Sequence, residues 1–389
     1  MGEKITVGIV TTHPIQYQVP LFREIDARDG VEVAVFYGRI PDVQDQGKGF
    51  DTSFTWDIPL LQGYPWRVLE GQAERYGERE VETFGGFTEA YRDADVMLIH
   101  GWNTGYMRRA WWRGLREDVP LLVRGESNSM RSRPWYIRGL HRAYLSAFAA
   151  CLYIGKSNRQ FYRNAGVPSR ALYSAPYCVE NHRFDDDWKK QKGDRSALRS
   201  EWGINESAVC FLFCGKFIDK KRPTDVVKSF MQAWRRVDRP VHLLMVGDGA
   251  LRSEAERLVP QEAPVTLTGF LNQTEIGKAY AAADVLVLPS DYGETWGLVV
   301  NEGMIFEMPA VVSDRVGCAP DLVHEGATGY KVEFGNVQAL TSILSQMAEH
   351  PEHIREMGKN ARELVLSEYT IENAADGIVK AALDVYANQ

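Results

Sequence analysis

Between Pro289 and Val312 the chain reads PSDYGETWGLVVNEGMIFEMPAVV, with two carboxylates, Glu294 and Glu302, separated by seven residues. A carboxylate accepts two hydroxyl hydrogen bonds at once, which matches the vicinal diol of a ribose or hexose. Thr295 is placed to cap the helix that follows, whose first turn exposes backbone N–H groups, and Gly297 lets a ligand approach the backbone. Such a helix start favours a phosphate-bearing ligand. Upstream, the apolar run Val209–Cys214 leads into Gly215-Lys216-Phe217-Ile218-Asp219-Lys220-Lys221-Arg222-Pro223, a glycine-led turn whose cations can neutralise a diphosphate. Each pattern has a plainer reading: a helix with one N-terminal and one exposed glutamate, and a solvated basic turn.

The elements that must position these residues alternate strand and helix in two successive sets. The first has strand candidates Ile5–Val10, Val31–Phe36, Val96–His100, Leu121–Val123, Cys151–Ile154 and Ala171–Ser174, with helices Val19–Ala27, Tyr106–Arg116 and Trp135–Phe148 between them. The second has strands Val209–Cys214, His242–Val246, Val265–Leu267, Val285–Leu288 and Ala310–Val312, with helices Thr224–Arg236, Leu251–Leu258, Thr274–Ala281 and Leu298–Phe306. Apolar strands alternating with amphipathic helices imply parallel sheets covered on both faces. The expected fold is therefore α/β, with two doubly wound, Rossmann-like domains facing across a cleft. The expected division is 1–180, a polar linker at 181–200 and 201–369, with a C-terminal helix at 370–389 packing back on the first domain. Ligands bind such sheets beyond the carboxyl ends of the strands.

Composition narrows the classes further. The 389 residues are 44% hydrophobic and 25% charged, which is globular. The net charge of −7 collects in the second half, while the first half is slightly basic; neither suits a nucleic-acid binder. Five scattered cysteines, Cys151, Cys178, Cys210, Cys214 and Cys318, read as buried thiols rather than zinc ligands or a disulfide framework. The apolar stretch Ile5–Val10 is too short for a signal peptide and no run is long enough to span a bilayer, so the expected compartment is the cytoplasm.

The run PSDYGETWGLVVNEGMIFEMPAVVSD resembles the signature of the family-4 retaining glycosyltransferases, which have the GT-B fold. The resemblance implies that Glu294 approaches the donor sugar and Glu302 binds the ribose diol. It also implies that the backbone of Thr295, Trp296, Gly297 and Leu298 cradles the diphosphate and sugar. It places Lys216 and Lys221, after Gly215, on the donor diphosphate, with lysine at the first position where arginine is commoner. Val246-Gly247-Asp248-Gly249 is similar to the family's nucleotide-approaching turn, and Thr268-Gly269-Phe270 occupies its base-contacting position. These matches fall in order across roughly residues 208–335. Glu307 departs from the pattern, standing where the family has a small residue or glycine.

The first half resembles the family less closely. The loop after the first strand, Thr11 to Pro20, lacks the family's glycines but offers His13, Gln16 and Tyr17 to a sugar acceptor, or to the packing of the next helix. Arg124-Gly125-Glu126-Ser127-Asn128 stands where the family has a cleft histidine; Glu126 is the candidate near the anomeric centre, or else a member of a structural ion pair. His100 reads as a cleft residue or a strand-end histidine. Nine arginines lie between Tyr106 and Tyr144 (Arg108, Arg109, Arg113, Arg116, Arg124, Arg131, Arg133, Arg138, Arg142), among Trp111, Trp112, Trp135 and Tyr136. That mixture suits an anionic membrane surface, or a solvated face with its tryptophans in the core.

The resulting expectation is retaining transfer from a UDP- or GDP-sugar to a glycan or lipid-linked acceptor in polysaccharide or glycolipid synthesis. No cofactor beyond the donor and no metal is expected, because Asp185-Asp186-Asp187 lies in a charged stretch that no strand feeds. The rivals are a sugar-nucleotide epimerase on a similar scaffold and a non-catalytic sugar-binding protein. A Rossmann dehydrogenase is disfavoured, since no Gly-x-Gly-x-x-Gly follows the first strand.

Overall fold

The structure is a computed structural model that describes residues 4–43, 46, 53–69 and 86–388. The chain divides into two compact units. The first comprises Met1–Asp45, Ile58–Cys178 and Thr370–Gln389, and the second Gln46–Asp57 and Val179–Tyr369.

Among the described residues the first unit holds seven strands: β1 (Ile5–Thr11), β2 (Val31–Tyr37), β3 (Trp66–Val68), β4 (Val96–Ile99), β5 (Leu121–Arg124), β6 (Ala150–Tyr153) and β7 (Leu172–Ser174). They form one parallel sheet in the order β3-β2-β1-β4-β5-β6-β7. The central strands are buried almost throughout, because helices cover both faces of a sheet with parallel crossovers. The last helix, Ile371–Tyr386, is capped by Thr370, whose hydroxyl accepts from Asn373 N at 3.2 Å. It joins this unit by packing on the helix Val19–Asp26, and Gly377 makes that docking close: a Cβ there would lie 1.7 Å from Ser174 O.

The second unit holds β8 (Val209–Cys214), β9 (Val241–Val246), β10 (Val265–Gly269), β11 (Val285–Leu288), β12 (Ala310–Ser313) and β13 (Gly329–Val332), parallel in the order β10-β9-β8-β11-β12-β13. Phe211, Phe213, Phe217 and Phe230 lie at the centre of its core.

The expected linker at 181–200 is not a linker. It folds as the helices Asn181–Gln191 and Arg195–Glu201, which belong to the second unit. Phe184 is fully buried, with its ring 6.3 Å from that of Tyr280. Arg199, 2% exposed, donates to the carbonyls of Ala282, Glu206 and Ala208, and with Arg195 it grips Asp284 at 2.6 Å each. Arginines supply much of the inward face, so the segment lacks the apolar period of an ordinary helix.

Candidate active site

In the second sheet the chain leaves β8 towards β9 and β10 on one side, then returns to β11 on the other side of β8. That reversal is a switch point, where loops from the carboxyl ends of two neighbouring strands open a crevice. The loop after β8 carries Lys216 and the 3-10 turn Asp219–Lys221, and the loop after β11 carries Asp291 to Gly297. They are tied together. Asp291 N donates to Lys220 O at 2.9 Å, and Lys220 Nζ to Gly293 O at 3.2 Å. Lys221 Nζ forms an ion pair with Glu294 Oε2, the two side chains being only 14% and 13% exposed. Two residues singled out from separate motifs thus meet directly.

Lys216 is half-buried, and its ammonium is held below the ordinary lysine range by burial and by the charges of Lys220 and Lys221. Like charges gathered in a partly desolvated place favour an anion there. Backbone bonds hold the platform beneath them. Gly215 N donates to Val246 O at 3.0 Å, Gly247 N to Gly269 O at 2.8 Å and Phe217 N to Asp248 O at 2.8 Å. Gly247 has φ of 127°, and a Cβ on it would fall 2.0 Å from Gly215 O, so both its conformation and the close approach require glycine.

Glu302 lies in the helix Leu298–Ile305 and is 3% exposed. The hydroxyl of Tyr280 donates to its Oε2 and also lies 3.8 Å from Cys214 Sγ. Burial, with the Glu302 charge adding to it, pushes the Cys214 thiol up to about 12. Tyr280 escaped the sequence reading because it stands in an apolar helical run where a tyrosine reads as core.

The Glu294–Gly297 loop is clamped from one side: Gly317 N donates to Glu294 O at 3.0 Å and Cys318 N to Trp296 O at 2.9 Å. A Cβ at Gly317 would lie 1.7 Å from Thr295 O. Trp296 is 2% exposed and donates from its indole to Asn301 Oδ1 at 2.8 Å, leaving its backbone rather than its ring to meet a ligand. The expected cap is corrected. Gly297, at φ of 100°, occupies the N-cap position of the helix and Thr295 lies two residues before it, because the left-handed turn at Gly297 is what starts the helix.

Phe270 follows β10, and its ring stacks on Phe54 at 4.2 Å between centroids, with Trp56 packed 4.9 Å from Phe54. Asn272 Nδ2 donates to Thr55 O at 2.8 Å. Phe54 and Trp56 lie more than 200 residues earlier in the chain, and nothing local signals their arrival.

In the first unit, β1, β4 and β5 are neighbours, so His13, His100 and Glu126 follow adjacent carboxyl ends of one sheet. His13 Nδ1 lies 2.9 Å from Thr12 Oγ1; Gln16 and Tyr17 share its loop and are partly buried. Glu126 Oε1 accepts from Tyr177 OH at 2.6 Å. Arg124, 5% exposed, lies 5.0 Å above the Tyr177 ring and donates to Pro176 O at 3.1 Å. Asn158 shapes this loop by donating to Gly125 O at 3.0 Å and to Ser127 O at 2.5 Å. His100 packs edge-on to Phe22 with Nε2 buried and unpartnered; burial and the Arg124 charge bring its pKa down to about 3.

The basic aromatic stretch divides. Trp111 packs on Tyr144 at 4.8 Å, whereas Trp112, Trp135, Tyr136 and Leu140 are exposed, Trp135 by 82%. Beside them lies a cavity of about 270 Å³ lined by Arg131, Arg133, Arg138 and His141 without a carboxylate. Of the aspartate triplet, Asp185 is bound by Arg362 and Lys189, Asp186 lies 3.8 Å from Lys189, and Asp187 3.8 Å from Arg183. Among the described residues the grouping able to offer three metal ligands is His350, Glu352 and His353, all exposed. No helix of the described residues is long and apolar enough to cross a membrane.

Residues 194–364 match the family described as Glycosyl transferases group 1. The chain is 32% identical over 192 residues, 49% of its own length and 49% of the relative's, to N-acetyl-alpha-D-glucosaminyl L-malate synthase of Bacillus anthracis. It spans about half the length of the curated relatives it matches. The fold is similar to that of a glycosyltransferase from Rickettsia africae (TM-score 0.74, 11% identity, 100% of both chains). It is also similar to Anabaena Alr3699/HepE in complex with UDP (TM-score 0.71, 15% identity, 98% of this chain and 100% of that one). The chain thus has the GT-B fold, and the segment that matches the group 1 model lies in its second unit.

Proposed function

We propose that this chain, a GT-B protein with a segment matching the group 1 glycosyltransferase model, moves a glycosyl group from a nucleoside-diphosphate sugar to an acceptor hydroxyl with retention at the anomeric carbon. The observation that carries the reading is the switch point itself. Lys216 and Lys221, the Glu294 loop and the buried Glu302–Tyr280 pair all gather there at the carboxyl ends of β8 and β11.

In this reading Glu302 accepts from the ribose hydroxyls, and Tyr280 holds its carboxylate in place. Lys216, Lys221 and the backbone N–H groups of Thr295 to Leu298 take the diphosphate, while Glu294 addresses the transferred sugar. Gly215 and Gly247 let the nucleotide lie against the backbone beside Phe270. As the C1–O bond to the diphosphate breaks, the departing phosphate oxygen takes the acceptor proton on the same face, and the acceptor oxygen bonds to C1. The lysines stabilise the charge that develops on the leaving group. No metal is needed for that role, so EDTA leaves activity unchanged. Uridine is the first base to test, because the similar Anabaena protein was crystallised with UDP. His13, Gln16, Tyr17 and Glu126 serve the acceptor, a glycan or lipid-linked hydroxyl, in a cytoplasmic protein of polysaccharide or glycolipid synthesis.

The first unit docks peripherally on anionic membrane through residues 106–144. Trp112, Trp135, Tyr136 and Leu140 project there, and the arginine-lined cavity beside them offers a headgroup three guanidinium groups with no acid to compete. Co-sedimentation with phosphatidylglycerol vesicles but not with phosphatidylcholine vesicles is expected, and no sedimentation with either would sink this part. The activity is tested by thermal-shift titration with UDP-, GDP-, ADP- and dTDP-sugars, followed by product analysis. The expected result is donor consumption only with an acceptor present; conversion of donor alone would favour the epimerase.

A further inference from the structure

The opposite end of the second sheet carries a cavity that glycosyl transfer does not use. It measures about 550 Å³ and is lined by Val209, which opens β8, by Asp284, directly before β11, and by Glu307, in the turn that leads into β12. Lys216 and Glu294 follow the far ends of β8 and β11, so the cavity lies a sheet's length from the donor loops. Its volume is that of a small-molecule site, for which the usual range is roughly 300–1,000 Å³.

The lining carries six cations, Lys192, Arg195, Arg199, Arg239, Arg355 and Lys359, against three carboxylates, Glu206, Asp284 and Glu307. Arg195 and Arg199 are satisfied by Asp284, and Lys192 lies 4.3 Å above the Trp188 ring. Arg239, Arg355 and Lys359 also line the cavity, and among the described residues no carboxylate pairs with them. Arg355 and Lys359 are exposed and stand one turn apart on the helix Pro351–Glu368, so one anion can lie against both. Trp188, Phe306 and Ile354 add an apolar wall.

Glu307 adds a carboxylate to the same wall. It departs from the small residue expected there, and it adopts φ of 60°, the left-handed conformation that glycine takes without strain. Its backbone is pinned against the same helix: a Cβ at Gly358 would fall 1.9 Å from Glu307 O. That turn closes the preceding helix, with Met308 N donating to Gly303 O at 3.2 Å and Glu307 N to Met304 O at 3.1 Å, so the conformation of Glu307 belongs to the helix end while the residue itself lines the cavity. Facing unpaired cations, it is suited to accept hydrogen bonds from hydroxyls of a molecule whose phosphate those cations hold.

We propose that this cavity is a second ligand site, taking a small phosphate ester with a hydroxylated ring. Arg239, Arg355 and Lys359 hold the phosphate, Glu307 takes a ring hydroxyl, and Phe306 and Ile354 cover the ring face. The site does not depend on the donor reading, since none of its residues belongs to the switch point.

Calorimetric titrations test this with glucose 6-phosphate, AMP and inorganic pyrophosphate as probes, each with and without saturating UDP at low ionic strength. At least one of the two esters is expected to bind saturably in the presence of UDP. Its affinity should fall about tenfold or more in Arg355→Gln/Lys359→Gln, whose UDP affinity is unchanged, as the loss of two charge-assisted contacts requires. Glu307→Gly should bring the ester's affinity down to that of pyrophosphate. No saturable binding by either ester, or ester binding indifferent to Arg355 and Lys359, overturns the proposal. A protein that fails to bind UDP but binds the ester refutes the donor reading and leaves this site standing.

Discussion

Without a ligand, the charge of Lys221 is taken up by Glu294, and both side chains are nearly enclosed. If a diphosphate is what Lys221 holds during turnover, donor binding exchanges one anion for another and releases Glu294 towards the sugar. Two substitutions separate these roles. Lys221→Met leaves a mostly buried carboxylate with no cation, and Glu294→Gln leaves Lys221 in a cluster that already depresses Lys216. Removing one partner of a buried pair costs roughly 3–5 kcal/mol; with about an eighth of each side chain exposed, we expect about 2–4 kcal/mol from either change. The double variant removes both charges, so its loss should fall short of the sum by about 1–3 kcal/mol, as groups in contact generally do. The assay is urea unfolding of all four proteins, read on the transition that UDP shifts, because a ligand stabilises only the state that binds it. UDP affinity should fall about tenfold to a hundredfold in Lys221→Met, the worth of one charge-assisted contact. In Glu294→Gln it should hold or rise while glycosyl transfer collapses. Additive unfolding losses, or equal loss of UDP affinity in both single variants, would refute the exchange.

Three other perturbations test different parts of the structure. Tyr280→Phe should weaken UDP binding about tenfold, since a hydrogen bond to a charged group is worth about 1.5–3 kcal/mol; a calorimetric Kd equal to wild type would remove Tyr280 from the site. Gly317→Ala places a methyl group 1.7 Å from Thr295 O and must displace the Glu294–Gly297 loop, so UDP should no longer raise the Tm while the circular dichroism spectrum stays native. His242, 4% exposed, has its pKa brought down to about 4 by burial and the Arg199 charge, against about 6.5 when unfolded. The unfolded state therefore binds the extra proton between these values, and stability is lost as pH falls from about 6.5 to 4, by at most about 3 kcal/mol. His242→Gln, which can still donate to Thr266, should reduce the dependence in that window by one histidine's share, leaving that of buried His100, as urea midpoints at successive pH values would record.

The strands that carry the donor loops were the easiest elements to read. β8 and β11 are unbroken apolar runs buried on both faces, and their limits match the sequence expectation residue for residue. β3 and β13 were invisible for the opposite reason: they are short edge strands whose Trp66, Arg67, Tyr330 and Lys331 remain partly or fully exposed. The helices at 181–201 read as linker because buried arginines do the work of apolar residues, and a hydrophobic period cannot register a guanidinium satisfied by carbonyls. At the site, the glutamates and lysines were legible because their residue types are demanding, while Tyr280 and Phe54 were not. An aromatic residue is as suited to a core as to a ligand, and only the tertiary fold brings Phe54 to Phe270.

The donor crevice is built so that a small set of charges is aimed by backbone rather than by long side chains. Gly247 lets two loops touch where any Cβ would force them apart, and Gly317 does the same for the loop bearing Glu294. The loops they bring together carry mutually repelling lysines, whose cost is visible in the depressed ammonium of Lys216 and is offset in part by Glu294. Such a site is preorganised for more negative charge than the protein itself supplies. Glu302 is buried in the next helix, where the Tyr280 hydroxyl donates to its carboxylate. Under the proposed function, cations over one carboxylate and a hydroxyl over the other would discriminate between the two ends of a nucleoside-diphosphate sugar before any base-specific contact is made.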